Sequence, residues 1–195
     1  PKEVILIGDN FDHDITPAIN LDIYPFFFNL NGENKINNNY GIFNNYKFIF
    51  DLFNELNIEL NQLEDISKYC GERFDLVQAG GGNISFKCNN LMFIKSSGTS
   101  LSVISPKSGY SIINNTELFN YINNTTNLDD DILSNYNIIN NNKPSIETFM
   151  HAILKKYVVH LHPIAINNIL IKINSEEIIK ELFPNSLFIS YIKPG

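Results

Sequence analysis

The sequence predicts an α/β fold in two parts, and three observations lead to this prediction. Residues 3–29 read as strand, helix and strand, because two apolar runs flank a short segment with helical spacing. Residues 76–114 hold short apolar runs that Gly and Asn interrupt, as is typical of strands joined by turns. Between these regions, apolar residues recur at helical spacing over 46–56 and again over 60–73.

A boundary near residue 58 divides the chain into segments 1–58 and 59–195, each with its own predicted elements. In the first segment these are strand 3–7, helix 15–23, strand 24–29, polar loop 31–39 and helix 46–56. In the second segment we predict strands 76–78, 83–87, 91–95, 108–114 and 158–163, a polar loop at 125–143, and helices 60–73, 116–124, 145–157, 165–173 and 175–183.

The composition is that of an ordinary globular protein, with 195 residues, of which 44% are hydrophobic and 18% are charged. The net charge is −7 and no basic patch stands out, so we expect neither nucleic acid nor a membrane surface as a partner. No apolar run is long enough to span a bilayer and no signal-peptide pattern opens the chain, so we expect a cytoplasmic protein. Cys70 and Cys88 make no disulfide framework and are expected to be free thiols.

The two ends of the sequence indicate a fragment of a longer chain. The first residue is Pro1 rather than Met, and the last residues, YIKPG, carry a Pro–Gly pair of the kind that usually marks a turn. We therefore expect the second segment to be truncated at Gly195.

The stretch GDNFDHD, residues 8–14, joins the first predicted strand to the first predicted helix. Asp9 and Asp14 follow that strand, and carboxylates at the carboxyl end of a strand commonly hold Mg²⁺. The stretch resembles the last conserved motif of the haloacid-dehalogenase-like (HAD) phosphatases, in which a GD-x4-D pattern supplies Mg²⁺ ligands. The resemblance implies that residues 1–58 are the C-terminal piece of a HAD-like, partly Rossmann-like domain. The nucleophilic aspartate and the lysine of that family have no counterpart in this sequence, so a folded remnant without activity is the alternative.

Two loops containing Gly or Ser follow predicted strands in the second segment, GGGN at 80–83 and SSGTS at 96–100. A glycine-rich turn lets backbone N–H groups approach an anion closely, and serine hydroxyls add further donors. Asn83 and Ser97 are therefore candidate phosphate-binding residues. Taken alone, GGGN is weak evidence for phosphate binding, because glycine turns between strands are common.

The stretch PSIETFMH places Ser145 and Glu147 at the start of a predicted helix, whose N-terminus favours an anion. Ser145 equally fits an N-cap, and Glu147 fits a first-turn carboxylate that complements the helix dipole. His151 lies four residues after Glu147 on the same helix face, and by itself it fits a packed core histidine.

The stretch KYVVHLHP carries two of the four histidines one residue apart. Side chains at positions i and i+2 of a strand point to the same face, so His160 and His162 would present two imidazoles side by side. This pair is the beginning of a metal site, because a catalytic zinc ion typically takes three protein ligands and keeps one open position.

Four motifs follow one another along the second segment: AGGGNISFK, IKSSGTSL, KPSIETFMHAIL and YVVHLHPIA. Together they resemble the class II aldolase/adducin family, and within it the rhamnulose-phosphate-aldolase-like members. The resemblance covers about residues 60–195. It implies a three-layer α/β/α domain with a mixed or antiparallel sheet, and a homotetramer with active sites near subunit interfaces.

The resemblance also implies roles for individual residues. His160 and His162 correspond to zinc ligands, and Glu147 corresponds to the acid/base residue that can also approach the metal. The positions that bind the substrate phosphate correspond to Asn83, Ser97, Gly98 and Ser145. The sequence departs from the family at Ile146, where many members have a second serine, and the third zinc-binding histidine is expected beyond Gly195.

The function that the resemblance implies is a zinc-dependent aldolase that cleaves or forms a small phosphorylated ketose in carbohydrate metabolism. Cleavage leaves an enediolate, whose charge Zn²⁺ stabilises as a Lewis acid while a nearby carboxylate moves the proton. Three alternatives stay open: a ketose-phosphate 4-epimerase, a non-catalytic adducin-like interaction module, and a HAD-type sugar phosphatase that uses Asp9 and Asp14. The presence of Glu147, His160 and His162 together favours an enzyme over an interaction module.

Overall fold

The chain forms two four-stranded sheets, and one long helix lies between them in the sequence. The computed structural model describes residues 5–138 and 142–192. The first sheet holds β1 (Leu6–Gly8), β2 (Pro25–Phe28), β3 (Lys35–Ile36) and β4 (Gly41–Phe43), in the order β1-β2-β4-β3. The second sheet holds β5 (Asn83–Cys88), β6 (Leu91–Lys95), β7 (Tyr110–Asn114) and β8 (Tyr157–His160), in the order β7-β6-β5-β8.

The helices connect these strands and cover both faces of the second sheet. The α-helices are α1 (Thr16–Asn20), α2 (Tyr46–Gly71), α3 (Asn115–Asn124), α4 (Leu133–Tyr136), α5 (Thr148–Ile153), α6 (Ile164–Leu170) and α7 (Ser175–Leu182). A π-helix covers Phe11–Ile15, and 3₁₀ turns cover Leu101–Val103 and Asp130–Ile132. Within the described ranges, no helix combines the length and the apolar character that crossing a membrane requires.

The first sheet confirms the predicted strand–helix–strand pattern at the start of the chain. β1 pairs in parallel with β2, β2 pairs in parallel with β4, and β3 is antiparallel to β4. The helical segment begins earlier than predicted, because Asn10 caps it by accepting hydrogen bonds from the N–H groups of Asp12 and His13. It ends before Asp22, whose left-handed φ of 55° turns the chain toward β2.

The two helices predicted on either side of residue 58 form one continuous helix, so the predicted break between them is wrong. α2 runs for 26 residues, and the side chain of Asn45 caps its start. Two asparagines beside residue 58 are part of this helix, and the side chain of Asn61 donates to the carbonyl of Asn57 at 2.8 Å. No Pro or Gly interrupts the helix before Gly71, and the packing of its buried face against the core stabilises it over its full length.

One hydrophobic core connects both sheets to α2. Phe26 of the first sheet, Leu52 of α2 and Phe86 of the second sheet belong to the same cluster of buried side chains. Phe86 stacks on Phe93 with ring centroids 4.7 Å apart. Residues on both sides of position 58 therefore pack into one core, and the division of the chain there stays a prediction from the sequence.

The second sheet is the middle of three layers. Alternate residues of β5 and β6 face opposite sides, and those on one side, such as Phe86, pack in the cluster that contains α2. Those on the other side, such as Ile94, pack with residues of α3, α4 and α5. All neighbouring strands in this sheet are antiparallel. This helix–sheet–helix arrangement agrees with the predicted α/β/α fold.

Two predicted elements around the candidate site differ from the structure. Residues 76–78 form a turn rather than a strand, because the N–H groups of Leu76 and Val77 both donate to the carbonyl of Arg73 at 3.0 Å. The predicted helix 145–157 is reduced to α5, since the chain is already extended at Leu154.

Other differences concern the ends of elements and the loops. The predicted strand 158–163 ends at His160. The predicted loop 31–39 contains β3, and the predicted loop 125–143 contains a 3₁₀ turn and α4. Parts of three predictions lie outside the described residues: positions 3 and 4 of the first strand, positions 139–141 of the loop, and the C-terminal positions 193–195.

Replacing Ile58 with proline tests the continuity of α2. Ile58 is 58% exposed, so its side chain contributes little to the core. A proline at this position removes a hydrogen bond inside the helix and clashes with the preceding turn. We expect Ile58→Pro to lower the free energy of unfolding by about 3 kcal/mol or more, and Ile58→Ala to change it by less than about 0.5 kcal/mol. Urea denaturation measures both, and equal stability of the two variants would reveal a flexible joint at residue 58.

Candidate metal centre

Three segments that are far apart in the sequence meet at one end of the second sheet. Glu147 directly precedes α5, His160 is the last residue of β8, and Asn83 is the first residue of β5. In the antiparallel ladder between β5 and β8, Asn83 is paired with His160. The register of this ladder therefore places the GGGN motif beside the first histidine of HLH.

Glu147, His160 and His162 form a close cluster. Oε1 of Glu147 lies 3.0 Å from Nδ1 of His160, and Nε2 of His160 lies 3.2 Å from Nε2 of His162. The two imidazole rings have centroids 4.9 Å apart and planes inclined by 67°. Each residue offers one ligand atom, and the three atoms lie within 4.8 Å of one another. In the part of the chain that the structure describes, no other group of three or more His, Cys, Asp or Glu side chains comes this close together.

His162 reaches the cluster from a loop rather than from the predicted strand. Its backbone N–H donates to the carbonyl of Leu76 at 3.0 Å. Gly81 lies so near that an added Cβ would be 3.2 Å from Nδ1 of His162. The two imidazoles are side by side as predicted. However, His162 is positioned by its contacts with the loop before β5 and not by the alternation of side chains along a strand.

The cluster contains a carboxylate and an imidazole that stabilise each other's charge. The contact with His160 and, to a lesser extent, the nearby Asn83 amide together lower the pKa of Glu147 to about 2, although burial opposes the shift. In return, Glu147 raises the pKa of His160. The Glu147 carboxyl is therefore ionised at neutral pH, as a metal-binding carboxylate must be.

Four buried polar atoms around the cluster have no hydrogen-bond partner among the described residues. They are Nδ2 and Oδ1 of Asn83, Nε2 of His151 and Nδ1 of His160. The contact of His160 with Glu147 is short but lacks the alignment of a hydrogen bond. Since buried polar groups are nearly always paired, a group of unpaired ones fits the wall of a site that receives an ion or ligand. Two imidazoles and one carboxylate are also the kind and number of protein ligands that a catalytic Zn²⁺ typically takes.

Comparison with known proteins agrees with this geometry. The family model described as the Class II Aldolase and Adducin N-terminal domain matches residues 62–185. The chain belongs to the class II aldolase and adducin family. It is also similar to the solved N-terminal class II aldolase domain of a conserved protein from Thermoplasma acidophilum, with 28% sequence identity, 70% of each chain covered and a TM-score of 0.63. A comparison with curated proteins gave no match.

The family match supports the fold predicted for the second segment of the chain. It begins at residue 62, after the segment that resembles the HAD phosphatases. The HAD-like origin of residues 1–58 and the likeness to the rhamnulose-phosphate-aldolase-like subgroup therefore stay predictions from the sequence.

In this class II aldolase domain, the four predicted phosphate-binding residues lie on β5 and on two neighbouring loops. The N–H of Ser97 donates to the carbonyl of Lys143 at 2.9 Å, which brings the SSGTS loop against the segment that leads to Ser145. Ser97 and Gly98 are exposed, whereas Ser145 and Asn83 are buried. Gly98 has a left-handed φ of 74°, which glycine adopts without strain. The loops come together, and their role in binding phosphate stays a prediction.

Glu147, rather than Ser145, takes the N-cap position of α5. The N–H of Glu147 donates to Oγ of Ser145 at 3.4 Å, so the serine supports the turn that precedes the helix. The Glu147 side chain makes no capping hydrogen bond and contacts His160 instead. The carboxylate is thus available to the cluster rather than committed to the helix end.

His151 is a fully buried histidine next to the cluster. Its Nδ1 lies 2.7 Å from Oγ of Ser85, and burial lowers its pKa to about 4. A neutral, packed imidazole is the interpretation that the sequence favoured for this residue taken alone. His151 is not in the close group of ligand atoms, so it supports the site without belonging to the donor set.

Lys95 is a functional candidate to which the sequence motifs assign no role. It ends β6, its side chain is buried, and Nζ donates to the carbonyl of Thr99 at 2.8 Å. Burial lowers the pKa of Lys95, and the negative charge of Glu147 partly offsets this shift. The ammonium group is therefore close enough to the cluster to interact with its carboxylate. The available signal was a lysine at the end of the apolar strand LMFIK, directly before a candidate phosphate loop.

Asp9 and Asp14 of the first segment form no comparable cluster. Asp9 is exposed, and Oδ2 of Asp14 accepts a hydrogen bond from the N–H of Asn10 at 3.0 Å. Among the described residues, no third His, Cys, Asp or Glu side chain joins these two in a close group. A Mg²⁺ role for Asp9 and Asp14 stays a prediction from the resemblance.

Burial of His151 predicts how the stability of the protein depends on pH. Its pKa is about 4 in the folded chain against an ordinary value of 6.5, so the unfolded chain binds more protons between these limits. Stability therefore falls as the pH is lowered through this range. In His151→Gln the fall from about pH 7 to about pH 4 should be smaller by about 3 kcal/mol. Urea denaturation at stepped pH with EDTA present measures the difference, and identical profiles would show that the pKa of His151 is the same in the folded and the unfolded chain.

Proposed function

We propose that the chain forms the zinc-binding catalytic domain of a class II aldolase that cleaves or forms a small phosphorylated ketose. The observation that carries this proposal is the cluster of Glu147, His160 and His162 in a class II aldolase domain. The family also contains adducin-like members without catalytic activity. A non-catalytic interaction module does not need three possible metal ligands within 4.8 Å of one another. It also does not need buried polar atoms without partners beside them.

The side chains of the cluster fit a zinc ion. The Nε2 atoms of His160 and His162 face each other at 3.2 Å, so these two nitrogens are the donors best placed to share one ion. Glu147 offers an ionised oxygen beside them. When bound, a zinc ion would act as a Lewis acid that polarises the carbonyl group of the ketose.

In this proposal, Glu147 is the residue that transfers the proton. Its carboxylate is ionised at neutral pH, but with a pKa of about 2 it is a weak base while it stays beside His160. An efficient general base has a pKa near the working pH. The proton-transfer role therefore requires the carboxylate to exchange its contact with His160 for a contact with the substrate, which raises its pKa.

The loops beside the cluster supply groups for the substrate phosphate. The exposed Ser97 offers a hydroxyl on a turn whose neighbour, Gly98, leaves the backbone open to a ligand. Lys95 adds a positive charge close to Glu147. Ile146 is 63% exposed and has no hydroxyl at the position where many family members carry a serine. The phosphate is thus bound with fewer serine donors than in those members.

Deuterium exchange tests the first chemical step without knowledge of the aldehyde. Dihydroxyacetone phosphate is a minimal phosphorylated ketose, and an aldolase that uses it removes a proton from the carbon next to the carbonyl. We expect the zinc-loaded protein to exchange this proton for deuterium in D₂O, as followed by NMR. His160→Ala should weaken zinc binding by about 100-fold or more and abolish exchange, because a direct ligand is lost. Glu147→Gln should weaken zinc binding by only about tenfold and still abolish exchange.

The matched control is His13→Ala, which removes an exposed histidine outside the cluster and should behave as the wild type. Normal exchange by Glu147→Gln would overturn the acid/base role. Zinc binding without exchange would favour a ketose-phosphate 4-epimerase, and absence of both would favour an adducin-like interaction module. Phosphate release that needs Mg²⁺ and is lost in Asp14→Asn would instead support a HAD-type phosphatase.

Ser97→Ala tests the phosphate-binding loop. Because a hydroxyl that donates to a charged phosphate is lost, the KM for dihydroxyacetone phosphate should rise by about tenfold while the exchange rate at saturation changes by less than about twofold. Exchange of dihydroxyacetone, which has no phosphate, should be the same in variant and wild type. An equal loss with both ketoses would show that Ser97 shapes the loop and does not bind phosphate.

A further inference from the structure

One face of β5 carries polar side chains that lie along α5. Asn83, Ser85 and Lys87 alternate with buried apolar residues that pack in the cluster containing α2, so the three polar side chains share the opposite face. Asn83 is paired with His160, whose Nδ1 lies 3.0 Å from Oε1 of Glu147, the residue directly before α5. Oγ of Ser85 lies 2.7 Å from Nδ1 of His151 within the helix.

Lys87 binds the end of the same helix. Its Nζ donates to the carbonyl oxygens of His151, Leu154 and Lys155 at 2.7, 3.0 and 3.0 Å. An ammonium group has three N–H donors, so these contacts use all of them. The last carbonyl groups of a helix lack partners within the helix and carry partial negative charge, so a cation is favourable there.

Contacts from Lys87 continue to Glu147 and to the strand that carries the first histidine. The backbone N–H of Lys87 donates to the carbonyl of Lys156 at 2.9 Å, which ties the connection between α5 and β8 to β5. Within α5, the N–H of His151 donates to the carbonyl of Glu147 at 3.0 Å. The lysine therefore fixes one end of a short helix whose other end presents the carboxylate.

We propose that Lys87 is a positioning residue for Glu147, because its three carbonyl contacts set where α5 lies on β5 and hence where the carboxylate meets His160. This inference rests on the proposed zinc site. α5 has only six residues, so we expect a shift at its end to displace its start as well. If Lys87 only stabilised the fold, its loss would affect the zinc site equally with and without Glu147.

A double-mutant cycle on zinc affinity separates these two roles. Competition with a chromogenic chelator gives the zinc affinity of the wild type, Lys87→Met, Glu147→Gln and the double variant. We expect Lys87→Met to weaken binding by about three- to tenfold when Glu147 is present, and by less than about twofold when it is already Gln. Cobalt substitution adds a spectroscopic readout, since the visible absorption of Co²⁺ follows its ligand set. The spectrum of Lys87→Met should shift toward that of Glu147→Gln.

Lys156→Met is the matched control for the loss of an ammonium group from the same region. Nζ of Lys156 pairs with Glu55 and Glu59 of α2 at 3.1 and 2.8 Å, on the side of the sheet away from Glu147. Thermal unfolding reports the stability of every variant. We expect Lys156→Met to have a lower Tm but the zinc affinity and cobalt spectrum of the wild type.

The outcomes distinguish this inference from the proposed function. If Lys87→Met weakened zinc binding equally with Glu147 present and with Gln at position 147, the inference would be overturned. The proposed zinc site would not be affected by that result. A wild-type protein that binds no zinc would overturn the proposed function and this inference together. If Lys87→Met does not fold, Lys87→Gln, which keeps a neutral donor, goes through the same cycle with the same two outcomes.

Discussion

The pairing of β5 with β8 is the constraint on which the rest of the site depends. It sets Asn83 opposite His160, and a shift of one residue would turn the imidazole away from Glu147. The same shift in β5 would bring Lys87 into the apolar cluster beside α2 and remove Phe86 from it. Because the two faces of β5 are buried in different surroundings, both would lose favourable contacts. The geometry of the metal centre therefore follows from the register that buries this strand correctly.

The long helix α2 supports this pairing from the other side of the sheet. The Tyr157 hydroxyl of β8 donates to the buried Glu59 carboxylate at 2.7 Å, and Lys156 pairs with the same carboxylate at 2.8 Å. A buried carboxylate is unfavourable without such partners, so β8 and α2 are held together by groups that need each other. Since α2 also packs against the first sheet in a single core, the strand that carries His160 depends indirectly on the N-terminal segment.

The site contains polar atoms that the fold alone does not satisfy. A buried donor or acceptor without a partner costs about 1–3 kcal/mol, and such atoms belong to Asn83, His151 and His160. Lys87 shows the contrasting case, because each of its three donors has a carbonyl partner. Lys87 is therefore fully paired within the fold, whereas the unpaired atoms of Asn83 and His160 lie beside the group of possible metal ligands.

The sequence by itself determined the local structure and the kinds of donor in the site. Strand alternation and helical spacing are local properties, so most strands and helices were predictable, and the PSIE and HLH motifs supplied the donor set. It did not determine that α2 runs through residue 58, because the length of a helix depends mostly on the packing of its buried face, which the spacing of apolar residues does not show. Only the tertiary structure decided that Leu76 anchors His162, that Lys95 is buried beside the cluster, and that Lys87 reaches the end of α5. Such contacts join residues that are distant in the sequence, and they form only when the paired strands of the sheet bring those residues together.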